Sequence, residues 1–171
     1  MKLLLTLTFL TGILLADLTY LHSFKADFTQ TITDEQGQKL SYSGNLIAKE
    51  PQFALWIYEK PINKTVYIQR GRVTMVEPEI EQVIIRDIRS DINLFSLLST
   101  AKKVKENSYV TELEETKVFI ELQNKEIALL RYKDKFDNDV LVEFSNQKSN
   151  IKIADEIFKA TYPYEFDVIK E

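Results

Sequence analysis

The chain has 171 residues, 44% of them hydrophobic and 28% charged, a formal net charge of −4 and no cysteine. This balance describes one ordinary globular domain, of a size that removes roughly 68–70% of its unfolded surface from water. It excludes a disulfide framework, and the mixing of acids and bases without a basic block argues against nucleic acid as a partner.

The first sixteen residues stand apart. "MKLLLTLTFLTGILLA" places Lys2 ahead of a run from Leu3 to Leu15 that only Thr and Gly interrupt. The run is short of the ~20 residues of a membrane span and matches the apolar region of a secretory signal. Residues 1–16 are therefore expected to be a cleaved signal peptide, with 17–171 a single mature domain starting at Asp17. An N-terminal core helix is the alternative, and the lack of a polar face speaks against it. With no cysteine behind the signal there is no lipid-attachment site, so a soluble exported protein is expected.

Period-two alternation dominates the remainder of the chain. In "FKADFTQ" Phe24, Ala26 and Phe28 share one face, which then ends in a polar amide, Gln30. "DEQGQ" supplies a turn at Gly37 into "KLSYSGNLIAK", where Leu40, Tyr42, Leu46 and Ala48 share a face and Gly44 suggests a bend or bulge. "FALWIY" follows Pro51 and is apolar on both sides: Ala54, Trp56 and Tyr58 on one, Phe53, Leu55 and Ile57 on the other. "TVYIQ" and "RVTMV" flank Arg70-Gly71 as a hairpin, and "EIEQVIIRDI" reads as another strand.

"DINLFSLLST" is the best helix, with Asp91 as its cap and Ile92, Phe95 and Leu98 or Ser99 at helical spacing. Further strands are expected at Tyr109–Leu113, Lys117–Leu122, Ile127–Lys133, Asp139–Phe144 and Tyr164–Ile169, with short helical turns at residues 17–22 and around Ile157. Many short strands and scarce helix predict a mainly β fold: a curved antiparallel sheet forming an incomplete β-barrel with short α-helical lid segments.

Little in the chain points to catalysis. Four glycines, at 12, 37, 44 and 71, form neither phosphate-cradling loop. One histidine and no cysteine leave the usual zinc sites without ligands. "DKFDND" lacks the glycine and terminal Glu of a calcium loop and reads as a hairpin turn. His22 has no G-x-S-x-G elbow to serve. No cofactor, metal or catalytic residue is expected. A secreted hydrolase using two of the 26 carboxylates stays open as a lesser alternative, since nothing singles out a pair. The excess of apolar sheet over helix able to cover it suggests instead a hydrophobic cavity.

The order of these pieces resembles the LolA family of periplasmic carriers for outer-membrane lipoproteins. The matching pieces are F-x-A-x-F-x-Q, the G-x-L strand, P-x-F-x-x-W-x-Y-x-x-P, the Gly-Arg turn and P-x-x-x-Q-V, in register over residues 23–83, with "DINLFSLLST" similar to the family's lid. The resemblance implies a monomeric carrier whose cavity and lid are lined by Phe24, Phe28, Leu46, Trp56, Tyr58, Ile92, Phe95 and Leu98. It implies acylated lipoproteins as cargo and an inner-membrane ABC-type release complex as donor. An outer-membrane receptor is implied where the source has one. A related envelope protein that carries or senses another lipid is the alternative within the same class. Gln30 and Glu50 are the polar rim candidates. Gln30 either bonds a neighbouring strand or lid backbone, or simply emerges into solvent. Glu50 stands where the family commonly has an arginine that bonds the lid. An ionised carboxylate only accepts hydrogen bonds, which leaves donors such as Arg70 or Arg72 to hold a lid.

Overall fold

Alternating sequence becomes alternating burial along many strands of the computed structural model, which describes residues 18–88 and 94–171. The expected signal, Asp17, Asp91 and Ile92 lie outside the described residues. Twelve strands form one open sheet. They are β1 (Ser23–Thr33), β2 (Lys39–Lys49), β3 (Phe53–Lys60), β4 (Lys64–Gln69), β5 (Arg72–Glu77) and β6 (Gln82–Asp87), then β7 (Lys102–Lys105), β8 (Ser108–Leu113), β9 (Thr116–Gln123), β10 (Glu126–Lys133), β11 (Asp139–Ser149) and β12 (Asp167–Lys170). The spatial order is β12-β6-β5-β4-β3-β2-β1-β11-β10-β9-β8-β7, so β2 and β1 are central and the sheet is not closed. Among the described residues one α-helix, α1 (Leu94–Thr100), lies between β6 and β7 in the chain, while Leu18–Tyr20 and Asp155–Phe158 are single 3-10 turns.

Neighbouring strands pair antiparallel except at one edge, where β12 runs parallel to β6. The expected curved antiparallel sheet thus carries one parallel pair, at its edge. Parallel pairing requires a crossover, and residues 150–166 supply it. Ile151, Ile153 and Phe158 of this segment pack on Phe53, Leu55, Ile47 and Ile57. The outer side of "FALWIY" is therefore covered by a returning chain, not by a helix or a second sheet.

Two hairpin loops are built alike. Asp34 Oδ1 accepts the amides of Gln36 and Gln38 at 3.0 and 2.8 Å. Asp134 Oδ1 accepts those of Phe136 and Asn138 at 2.8 and 3.1 Å. The fourth position takes positive φ in both, 80° at Gly37 and 64° at Asp137. "DKFDND" thus forms a hairpin turn whose lead carboxylate is occupied by backbone amides. Burial raises the Asp134 pKa, but the Asn138 side chain and the backbone amides outweigh it and hold the carboxyl below its ordinary value.

Gly44 marks the expected bulge. The register of β2 against β3 slips there, from Ser43 opposite Lys60 to Gly44 opposite Tyr58. A Cβ on Gly44 would stand 1.8 Å from the carbonyl oxygen of Ile57, so only glycine fits this close approach.

Candidate functional site

Residues directly opposite in a sheet share a face, so the register defines rows of side chains. One row runs Ala26, Leu46, Trp56, Val66, Met75, Ile84, Ile169, crossing β1 to β6 and on to β12. Every member is apolar. Ala26 and Leu46 are each 1% exposed, Trp56 through Ile84 are half-buried, and Ile169 is 37% exposed.

The cause of this gradient is the placement of α1. Phe95 and Leu98 are buried in one cluster with Phe24, Phe28 and Leu46 and with Val118, Ile120 and Val142 from the β11–β8 half of the sheet. The helix touches β8 and the 3-10 turn at Leu18–Tyr20. Its C-terminal end is tied down by a 2.8 Å hydrogen bond between the hydroxyls of Thr100 and Thr111. Thus α1 covers one half of the inner face, while the inner side chains of β3 to β6 stay partly in water.

Of the cavity and lid residues expected from the sequence, Phe24, Phe28, Leu46, Phe95 and Leu98 come together as packed core. Trp56 and Tyr58 sit at its margin, joined to Phe28 by edge-on ring contacts of 5.0 and 5.1 Å. Sequence reasoning missed Val66, Met75 and Ile84, which extend the apolar face outward. Alternation in "TVYIQ" and "RVTMV" marks them as facing one side, but only cross-strand register aligns them with Trp56.

Gln30 lies between two tyrosines. The Tyr58 hydroxyl donates to Gln30 Oε1 at 3.1 Å, and Gln30 also neighbours the side chain of Tyr132 on β10. Burial first, then the neighbouring Tyr132 and Tyr42, pushes the Tyr58 phenol up to about 12. Burial and the Asp134 carboxylate raise Tyr132 as well, against a lowering by the Gln30 side chain. Neither phenol ionises near neutral pH, so the cluster is an uncharged polar band on the apolar face.

Glu50 has a different partner from the one the family pattern implies. Its Oε2 lies 2.7 Å from His22 Nδ1, and its amide donates to the His22 carbonyl at 3.0 Å. It thereby joins the N-terminal turn to the end of β2. Arg72 Nε donates to Asp87 Oδ1 at 3.0 Å, and the Arg70 guanidinium lies over the Phe53 ring. Both arginines are thus engaged beside the outer-face cluster. Among the described residues, no group of three or more His, Cys, Asp or Glu side chains is placed to hold a metal ion.

An open, curved β-sheet with a short helix seated on part of an apolar face defines the class: a half-barrel with a hydrophobic inner surface. A family model described as outer membrane lipoprotein carrier protein LolA matches residues 19–161, and the chain belongs to that family. It is 34% identical over 149 residues to an outer-membrane lipoprotein carrier protein of Campylobacter jejuni, with 87% of each chain covered. It is 36% identical over 141 residues to one from Helicobacter pylori, covering 82% of this chain and 76% of the relative. The crystal structure of an uncharacterized conserved protein from Thermus thermophilus shares the fold, with a TM-score of 0.55 at 13% identity over 90% of this chain and 93% of the other.

Proposed function

We propose that the mature chain is a periplasmic carrier that shelters lipoprotein acyl chains on its inner face and delivers them toward the outer membrane. The observation that carries this reading is the seven-residue apolar row whose burial falls away from α1. Each methylene withdrawn from water is worth about 0.8 kcal/mol, so an acyl chain resists crossing an aqueous gap unaided. Contacts on this face are non-directional and break without loss of specific bonds, which suits a carrier that must also release. Phe95 and Leu98 occupy the deep end of the face, so an acyl chain entering from the Trp56–Ile84 side competes with α1 for the surface over Phe28 and Leu46.

The chain holds no nucleotide-binding motif, so the energy for loading comes from a partner, an ABC-type release complex of the inner membrane. Where the source has one, an outer-membrane receptor takes the cargo. The carrier acts as a monomer and without catalysis.

Native mass spectrometry of protein isolated from periplasm tests the proposal. Bound acylated protein is the expected result. Free lipid alone would favour an envelope lipid carrier or sensor. Neither ligand, together with turnover of soluble substrates, would favour a hydrolase and overturn the carrier reading.

A further inference from the structure

The outer face carries a recess of about 340 Å³ between the β4–β5 turn and the crossover segment. Beneath it Phe158 is fully buried and stacks on Phe53 with centroids 5.2 Å apart. The Arg70 guanidinium lies 5.7 Å from the centroid of that same Phe53 ring. Tyr67 and the largely buried Thr74 stand on one wall, and Arg72, paired with Asp87, on the rim.

Two guanidinium groups therefore border the recess against one carboxylate. Among the described residues Arg70 has no acidic partner, and the hydrogen bond from Arg72 to Asp87 engages Nε. The turn itself is unusual in composition. Arg70 and Gly71 have φ of 46° and 84°, the two-residue hairpin geometry that favours Asn, Asp or Gly at its first position. An arginine there is locally disfavoured, and its guanidinium lies over the Phe53 ring.

We propose that this recess binds a small oxyanion, held between the planar forks of Arg70 and Arg72. Guanidinium forks match carboxylate and phosphate oxygens in pairs, and the volume suits a small ligand. Asp87 is the competing anion: a ligand that engages Arg72 displaces it. The Ile88 amide donates to the Gly71 carbonyl at 2.8 Å, so the site lies at the root of the connection leading to α1. The assignment does not depend on the carrier function.

Soluble phosphate esters and phospholipid headgroups share the required chemistry. The test titrates glycerol 3-phosphate, and separately phosphatidylcholine vesicles containing phosphatidylglycerol, into the mature protein at constant ionic strength, because salt screens exposed charges. Amide resonances of Gly71, Ile88 and Ala160 are followed, with vesicle co-sedimentation alongside. Saturable shifts are expected. Arg70→Gln and Arg72→Gln should each weaken binding about tenfold, whereas Asp87→Asn should strengthen it. Arginine-dependent binding of the ester marks a soluble ligand, and arginine-dependent binding only to the vesicles marks a headgroup; either supports the site. Absence of binding to both, shifts unchanged in the arginine variants, or weaker binding in D87N overturns it. If either glutamine variant fails to fold, Arg70→Lys and Arg72→Lys retain the charge without the fork. Undiminished binding in those variants overturns the site equally.

Discussion

The Tyr58 hydroxyl donates a 3.1 Å hydrogen bond to the side-chain oxygen of Gln30, linking β3 to β1 across β2. The same amide lies beside Tyr132 on β10. Gln30 is therefore the partner of one largely buried phenol and the neighbour of a second on the apolar face. Replacing it with Leu fills the space but leaves the Tyr58 hydroxyl without this partner. The expected loss is about 1–3 kcal/mol of stability. Denaturant unfolding of Gln30→Leu, Tyr58→Phe and the double variant measures it. The double variant should lose less than the sum of the two singles. Strict additivity would show that the bond carries no coupling.

The raised Tyr58 phenol sets an alkaline limit on stability. A folded-state pKa of about 12 against an ordinary 10 means that the native protein holds this proton more tightly than the unfolded chain. The stability linked to it is complete below pH 10 and is lost as pH rises from 10 toward 12. Tyr132 shifts in the same direction. Urea midpoints should therefore hold steady to about pH 9 and fall beyond about pH 10, with a shallower fall in Tyr58→Phe. An identical fall in that variant would contradict the assignment.

Gly44 is opposite Phe28 on one side and Tyr58 on the other, and those rings meet edge-on over it at 5.1 Å. Gly44→Ala drives a methyl into the Ile57 carbonyl. The expected cost is about 1–3 kcal/mol, with loss of the bulge that aims Tyr58 at Gln30. Thermal unfolding, together with the Tyr58 titration, would detect both effects. A variant of unchanged stability would show that the backbone yields freely there.

Competition between α1 and cargo predicts opposite signs for two measurements on one variant. Phe95→Ala removes a buried ring from the core, which should lower stability by about 3 kcal/mol. It also weakens the hold of α1 on the inner face, so a fluorescent fatty acid should bind more tightly, with transfer from Trp56 as the readout. Stability and affinity falling together would instead make Phe95 part of the binding surface.

Much of the fold was legible in the sequence because alternation reports a strand's two faces directly. Val118, Ile120 and Leu122 turn inward from β9, and Asp34 with Gly37 turns the β1–β2 hairpin as its residue types dictate. The helix was readable from the spacing of Phe95 and Leu98. By contrast, β7 reads "KKVK", four exposed residues with no apolar period, and its strand character exists only through pairing with β8. Likewise, β12 begins at Asp167 and not at Tyr164, because its start is set by register against β6.

Local chemistry thus determined which residues are apolar, where the chain turns and that helix is scarce. The tertiary structure decided the rest: the parallel edge, the crossover that covers the outer face, the Gln30 pairing with Tyr58, and the half of the inner face that α1 leaves open. Those features depend on which distant strands become neighbours, and hydrophobic periodicity within a segment carries no information about register between segments.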